Sequence, residues 1–327
     1  MKALALFSGG LDSLLAIKLI TNQGVDVVAL HFDIGFGGYN SKLDYLENAI
    51  KQVGATVEVI DIREKFIQEV LNEPKFGFGK NLNPCIDCHA NMIKIAISLM
   101  EKFGASFIIT GEVLGQRPMS QRKEALNHVL KLSEADDLVT RPLCAKLQKP
   151  SLAEKMGWID REKLLDISGR GRSRQLQLAK EFGIDYFESP SGGCLLTDVL
   201  FSQRLKEHLD NEKFIVEDIE LLKVGRHLRL PEKSKLIIGR HAEDNEKLEQ
   251  IENAKYIKIY LKDIVGPLSV ISSSASKDEI DLAMKLILSY TKAQKGEHYK
   301  LSVNGDIFEC EAVFDKSEAR KYFVIDV

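Results

Sequence analysis

Apolar positions in the first half of the chain fall into two alternating textures. Short runs at Leu4–Phe7, Val25–Phe32, Val57–Ile62 and Phe107–Thr110 read as buried strands. Between them, apolar residues recur every three or four positions. Leu14, Leu15, Ile17, Leu19 and Ile20 do so within Leu11–Thr21, and Leu43, Leu46, Ile50 and Val53 within Leu43–Val53; Met92–Phe103 continues the pattern. This spacing predicts helices. Strands joined by such helices imply right-handed crossovers and a doubly wound parallel α/β sheet, with ligands at the carboxyl ends of the strands. Past residue 200 the pattern changes. Val216–Arg229, Ser234–Gly239 and Tyr256–Leu261 are short and strand-like, Asp278–Tyr290 is helical, and Tyr299–Val303, Ile307–Val313 and Tyr322–Val327 close the chain as strands. The expected division is residues 1–200 and a smaller α+β domain over 201–327. Asn72–Pro84, with Gly77 and Gly79, reads as a long mobile loop of the kind that often carries function.

Composition narrows the class. With 44% hydrophobic and 28% charged residues, the chain suits a soluble protein with a substantial core. A formal net charge of −3 gives no bulk signal for nucleic acid, so RNA contacts require local clusters. No apolar run reaches the ~18 residues of a membrane span, and Met1-Lys2-Ala3 leads into a strand without a signal-peptide core. Five cysteines, two of them as Cys-x-x-Cys, argue against a secreted disulfide framework and for a reducing cytoplasm.

Between the first strand and helix stands Ser8-Gly9-Gly10-Leu11-Asp12-Ser13. Two glycines let backbone N–H groups converge on an anion, and the following helix start adds unpaired amides and the positive end of its dipole. Ser8 and Ser13 can donate to phosphate oxygens. Asp12 would repel a bare phosphate, so it holds a magnesium ion or fixes the loop. The competing explanation is a glycine turn with an Asp or Ser helix cap. Asn83-Pro84-Cys85-Ile86-Asp87-Cys88-His89 precedes another helix. Two thiols at a helix start fit zinc, an iron–sulfur cluster, a redox dithiol or a persulfide carrier. Cys194, in Ser-Pro-Ser-Gly-Gly-Cys, offers a third thiol, and Gly192 and Gly193 put it on an open turn; Cys144 and Cys310 sit in apolar runs as core residues.

The Ser-Gly-Gly-Leu-Asp-Ser loop resembles the signature of the PP-loop ATP pyrophosphatase superfamily, with its adenine nucleotide alpha hydrolase-like fold. The resemblance implies that Ser8, Gly9, Gly10, Asp12 and Ser13 cradle the pyrophosphate of ATP, with Leu30, His31 and Phe32 near the adenine. The Cys-x-x-Cys plus distant Cys resembles the tRNA thiolation enzymes, and Asn-Pro-Cys-Ile-Asp-Cys their 2-thiouridylase branch. It implies either a [4Fe–4S] cluster on Cys85, Cys88 and Cys194, the expectation carried forward, or a persulfide and resolving cysteine. Thr110-Gly111-Glu112 to Gln121 is similar to the 4-thiouridine synthase; Gly111 would admit the phosphate or ribose, and Gln116, Ser120 and Gln121 would touch ATP or the target nucleotide. Lys235–Gln250 resembles the NFACT-R module, with Gly239, Arg240, Asn245 and Leu248 carrying the likeness.

The expected function is an ATP-dependent tRNA sulfurtransferase that adenylates a nucleobase carbonyl and replaces its oxygen with sulfur. Its expected catalytic residues are Cys85, Cys88, Cys194 and Asp12. The expected partners are tRNA or another structured RNA, a sulfur donor such as a cysteine desulfurase or sulfide, and a second copy in a homodimer. Arg170, Arg172 and Arg174, and farther on Arg226, Arg229, Lys233, Lys235 and Arg240, are the candidate RNA contacts. The alternative is an RNA-binding or regulatory module that keeps an ATP site without thiolation.

Overall fold

The computed structural model describes residues 1–37, 43–187 and 193–325. The chain divides into two units, Met1–Thr197 and Asp198–Val327.

In the first unit, strands β1 (Lys2–Leu6), β2 (Asp26–Asp33), β3 (Thr56–Asp61), β4 (Phe107–Thr110) and β5 (Val139–Thr140) form one parallel sheet in the order β3-β2-β1-β4-β5. The connecting helices are α1 (Leu11–Thr21), α2 (Leu43–Lys51), α3 (Arg63–Phe66, continued by a π turn over Ile67–Leu71), α4 (Cys85–Phe103), α5 (Lys123–Ser133), α6 (Leu152–Lys155) and α7 (Ser173–Phe182). Strand alternation supplies two cores. Ala3 and Ala5 of β1 pack with Leu14 and Leu15 of α1, Leu46 and Ile50 of α2 and Leu178 of α7. Leu4 points the other way, to Ile93 and Ala96 of α4 and Val129 of α5. The strand order reverses at β1, flanked by β2 and β4, so the crevice of the sheet opens at the end of β1.

Two local expectations change. Helix α4 begins at Cys85 rather than Met92, which puts both thiols of the Cys-x-x-Cys pair at its start. Asn72–Pro84 is fastened rather than loose: buried Asp87 accepts the backbone N–H groups of Lys75 (2.7 Å) and Phe76 (3.1 Å), and Gly79 N–H donates to Asn83 O (3.0 Å).

The second unit holds helices α8 (Val199–Asn211) and α9 (Asp218–Lys223), then strands β6 (Arg226–Arg229) and β7 (Lys235–Ile238), and α10 (Ala242–Gln250). Strands β8 (Tyr256–Leu261) and β9 (Ser269–Ser272), α11 (Lys277–Leu288), β10 (His298–Val303), β11 (Asp306–Glu311) and α12 (Lys316–Arg320) complete it. Its antiparallel sheet runs β11-β10-β8-β9-β7-β6. One face packs Leu236, Ile259 and Leu301 on Met284 and Ile287 of α11; the other packs Ile237 and Val270 on Leu221 of α9 and Leu248 of α10. Val216–Arg229, expected as strand, starts as α9 because the Asp218 carboxylate accepts Ile215 N–H (2.9 Å) and turns the chain. The expected closing strand Tyr322–Val327 shrinks to a bridge between Leu228 and Phe323; its last two residues lie outside the described residues.

Candidate nucleotide and thiol site

Ser8–Gly10 leave β1 at the reversal point. Gly9 adopts φ +81°, a conformation side chains disfavour, and its carbonyl accepts the Tyr45 hydroxyl (2.8 Å). Gly10 N–H donates to Ser8 Oγ (3.4 Å) and Ser13 Oγ donates to Gly10 O (2.7 Å). No side chain caps the start of α1, so the simple Asp or Ser cap is not what forms. Its first amides and the dipole face the crevice end of the sheet, an arrangement suited to an anion. Gly111, at the end of β4, lies against this turn. A Cβ there would stand 2.6 Å from Ser13 N and 2.7 Å from Asp12 C.

Asp12 is the centre of a polar chain. Its Oδ2 accepts from Gln116 Nε2 (2.7 Å) and Arg172 Nη2 (3.3 Å), and Gln116 Oε1 accepts from Gln175 Nε2 (3.0 Å). Asp12 Oδ1 and Arg172 Nε are buried without a partner. Orphaned groups of both signs beside a phosphate-type loop are open valences for a ligand. Arg172 was expected as an RNA contact with Arg170 and Arg174. It turns inward instead, while Arg174 pairs with Glu181 outside (3.2 Å).

The three thiols gather in the first unit. Cys85 and Cys88 start α4, and Cys194 bridges to Gly37, with Leu195 N–H on Phe36 O (2.9 Å). Asn81 Nδ2 donates to Thr197 O (2.6 Å), tying the Asn72–Pro84 segment to the chain just after Cys194. Burial pushes the Cys88 thiol well up, and Cys194 and then Cys85 add to the rise. Burial also lifts Cys194 to about 11; the Leu196 N–H opposes this, Cys85 adds to it, and Arg117 opposes it again. Gly192, expected to open the turn at Cys194, lies outside the described residues.

The [4Fe–4S] expectation is corrected here. Among the described residues no group of three or more His, Cys, Asp or Glu side chains is placed to hold a metal ion. All five cysteines are free of disulfides. At pH 8, Cys194 is expected to react with iodoacetamide about 100-fold more slowly than a thiol at the ordinary 9.0, since only its thiolate reacts. Peptide mapping by mass spectrometry after timed alkylation measures this.

A buried carboxylate joins the end of β4 to α4. Glu112 accepts from Thr110 Oγ1 (3.0 Å), Arg141 Nε (2.8 Å) and His89 Nδ1 (2.9 Å). Burial opposes its ionisation, but the Arg141 guanidinium and His89 outweigh that and hold the carboxyl well below the usual carboxylate range. His89, which follows the Cys-x-x-Cys pair, is thus engaged by Glu112. Ser120 and Gln121, expected at the ligand, are buried; Gln121 closes the turn by accepting Arg117 N–H at Oε1 (3.1 Å). His31 Nδ1 bonds Phe7 O (3.0 Å), and Phe32 packs in the core with Ile93. Arg141 and Gln175 carry no signal in sequence, because their partners are distant along the chain.

One short strap joins the two halves of the site. Gln116 holds Asp12, and three residues on Met119 Sδ receives the Asn83 amide (3.4 Å), which also donates to Cys85 Sγ (3.2 Å). The three steps of backbone from Gln116 to Met119 span at most about 11 Å.

Residues 1–159 match the family model of the thiamine biosynthesis protein ThiI, and residues 225–320 that of the NFACT protein RNA binding domain. Over these first 159 residues the chain is similar to the PP-loop, ThiI-like tRNA sulfurtransferase superfamily. Its C-terminal part is similar to the NFACT-R module. A probable tRNA sulfurtransferase of Thermococcus kodakarensis is 29% identical over 188 residues, which are 57% of this chain and 44% of that protein. The tRNA-specific 2-thiouridylase MnmA of Treponema denticola is 34% identical over 121 residues, 34% of this chain and 33% of that one. The chain therefore spans under half the length of these relatives. A solved 4-thiouridine synthetase–RNA complex with bound ATP aligns at 20% identity and a TM-score of 0.42, over 68% of this chain and 52% of that one.

Proposed function

We propose that the chain is an ATP-dependent RNA sulfurtransferase. The observation that carries this is the Gln116–Met119 strap, whose one end bonds Asp12 of the glycine loop and whose other end meets Asn83, which donates to Cys85 of the thiol group. Ser8, Gly9, Gly10 and Ser13 hold the β- and γ-phosphates, and Arg172 meets the charge that leaves as pyrophosphate. The orphaned Asp12 Oδ1 suits a magnesium ion carried in with the nucleotide, since such ions are held by one or two carboxylates plus phosphates. A pyrimidine carbonyl oxygen attacks the α-phosphorus and pyrophosphate departs, which leaves the ring carbon bonded to an AMP leaving group. The terminal sulfur of a persulfide on one thiol attacks that carbon and AMP leaves. A second thiol then attacks the inner sulfur, so the base keeps the outer sulfur and the two cysteines close as a disulfide. A protein persulfide donor and a thiol reductant complete the cycle. The alternative, a regulatory module that keeps ATP without chemistry, has no comparable use for three thiols beside the loop.

With ATP, tRNA and a persulfide donor, the chain should release AMP and pyrophosphate together with a thionucleoside detectable by mass spectrometry. Cys88→Ser and Cys194→Ser should each cut thionucleoside formation at least ~100-fold while leaving ATP binding intact. Thiolation that survives both replacements sinks the proposal.

A further inference from the structure

The bases expected to gather on the second unit are scattered by its fold. Lys235 is fully buried, with Nζ on Glu207 Oε2 (3.1 Å) and His208 Nδ1 (3.4 Å). Arg229 is bonded to Glu207 and Glu212, and Arg240 clamps Asp244 (2.6 and 3.1 Å). These are internal ion pairs and leave little charge for a polyanion.

Arg226 lies elsewhere. Its guanidinium carbon stands 4.8 Å from the centroid of the Tyr290 ring, and Lys316 Nζ stands 5.9 Å from the same ring. Three separate elements meet there: the first residue of β6, the chain just after α11, and the first residue of α12. Arg320 is one turn along α12 from Lys316 and so shares its face. It also acts on the Tyr290 phenol: burial raises that group, and Arg226 and Arg320 counter the rise. Lys316 and Arg320 are exposed, and Tyr290 and Arg226 half-buried. Of the acids on and before α12, Glu318 pairs with Lys321 (2.7 Å), and Asp315 caps the helix through Ser317 N–H (2.7 Å) and faces the charge of Lys295. Lys292 and Lys295 follow Tyr290 and are also exposed.

An aromatic ring flanked by cations from separate elements matches the chemistry of single-stranded nucleic acid: a base has a π-face to stack, and its flanking phosphates need positive charge. We propose that Arg226, Tyr290, Lys316 and Arg320 form a docking point for single-stranded RNA, in which an unpaired base stacks on the Arg226–Tyr290 pair and Lys316 and Arg320 hold the adjacent phosphates. This rests on the RNA-directed reading of the chain but not on its thiolation chemistry. A loop or an end of a folded RNA is the substrate part it fits, because a paired base cannot present its face.

The test is fluorescence anisotropy of the full chain with a labelled single-stranded oligouridine, at salt from about 50 to about 200 mM. Lys316→Glu with Arg320→Glu should weaken binding at least ~10-fold and flatten the log–log salt slope by about 1.4, which is two single-strand phosphate contacts. Tyr290→Phe should bind like the wild type and Tyr290→Leu about tenfold more weakly, because stacking needs the ring and not the hydroxyl. Thermal melts check that each variant folds. Wild-type binding that is unchanged in all variants overturns this docking point while sparing the wider RNA reading. Loss in the charge variants with Tyr290→Leu unaffected, or equal competition by duplex RNA or heparin, overturns it in favour of a plain polyanion surface. A wild-type chain that binds no RNA overturns both.

Discussion

Gly111→Ala is expected to remove at least ~10-fold of the affinity for ATP and to lower the melting temperature. The added Cβ would stand 2.6 Å from Ser13 N and 2.7 Å from Asp12 C. Those are backbone atoms of the phosphate-type loop, so no side chain can swing aside. Relief must come from moving β4 away from the start of α1, which are both pinned by the parallel pairing of β1 with β4. Overpacking of this kind costs about 1–3 kcal/mol, and each 1.4 kcal/mol drawn from binding is tenfold. Gly171→Ala is the control: a Cβ there meets nothing within 4 Å, so it should leave both quantities unchanged. Calorimetric titration with a non-hydrolysable ATP analogue, beside a thermal melt, makes the comparison. Normal affinity in Gly111→Ala would mean that the loop does not hold the phosphates.

Glu112→Gln should destabilise the protein by about 3–5 kcal/mol, the usual cost of breaking a buried ion pair from one side. Arg141 would keep its charge at 2% side-chain exposure, with Nη2 already lacking a partner. Replacing both residues, as in Glu112→Gln with Arg141→Met, should recover part of the loss. The pH dependence has a definite sign. The native Glu112 carboxyl titrates below its ordinary 4.5, so its stabilisation is complete above that value and fades only as the pH falls toward the depressed native one. Urea denaturation of wild type and variant from pH 7 downward should therefore show the gap constant to about pH 4.5 and narrowing below it. A gap that shrinks between pH 7 and 5 would assign the stabilisation to another group.

Much of the first unit was legible because its signals are local. Runs such as Leu4–Phe7 and Phe107–Thr110 are apolar throughout because both faces of a parallel sheet are covered, and the helical spacing between them marks the crossovers. The glycine turn after β1 was equally legible, since Gly9 takes a positive φ that other residues disfavour. Less legible were elements whose cause is a distant partner. Helix α9 depends on Asp218, whose carboxylate closes the turn at Ile215 and is itself held by Asn253 and Lys255, and the Asn72–Pro84 segment depends on Asp87 from the next helix.

What the linear order of residues settled by itself was the class of fold, the place of the glycine turn after β1 and the supply of three thiols, because periodicity and glycine placement are properties of neighbours in the chain. Only the folded molecule decided what each polar group faces. It brought Cys194 to Cys88, turned Arg172 inward to Asp12, spent His89 and Arg141 on Glu112, and buried Lys235 while leaving Arg226 beside Tyr290. It also left the thiols without a metal-holding arrangement among the described residues. The physical reason is that charge pairing and desolvation depend on distances across the packed structure, which spacing along the sequence does not encode.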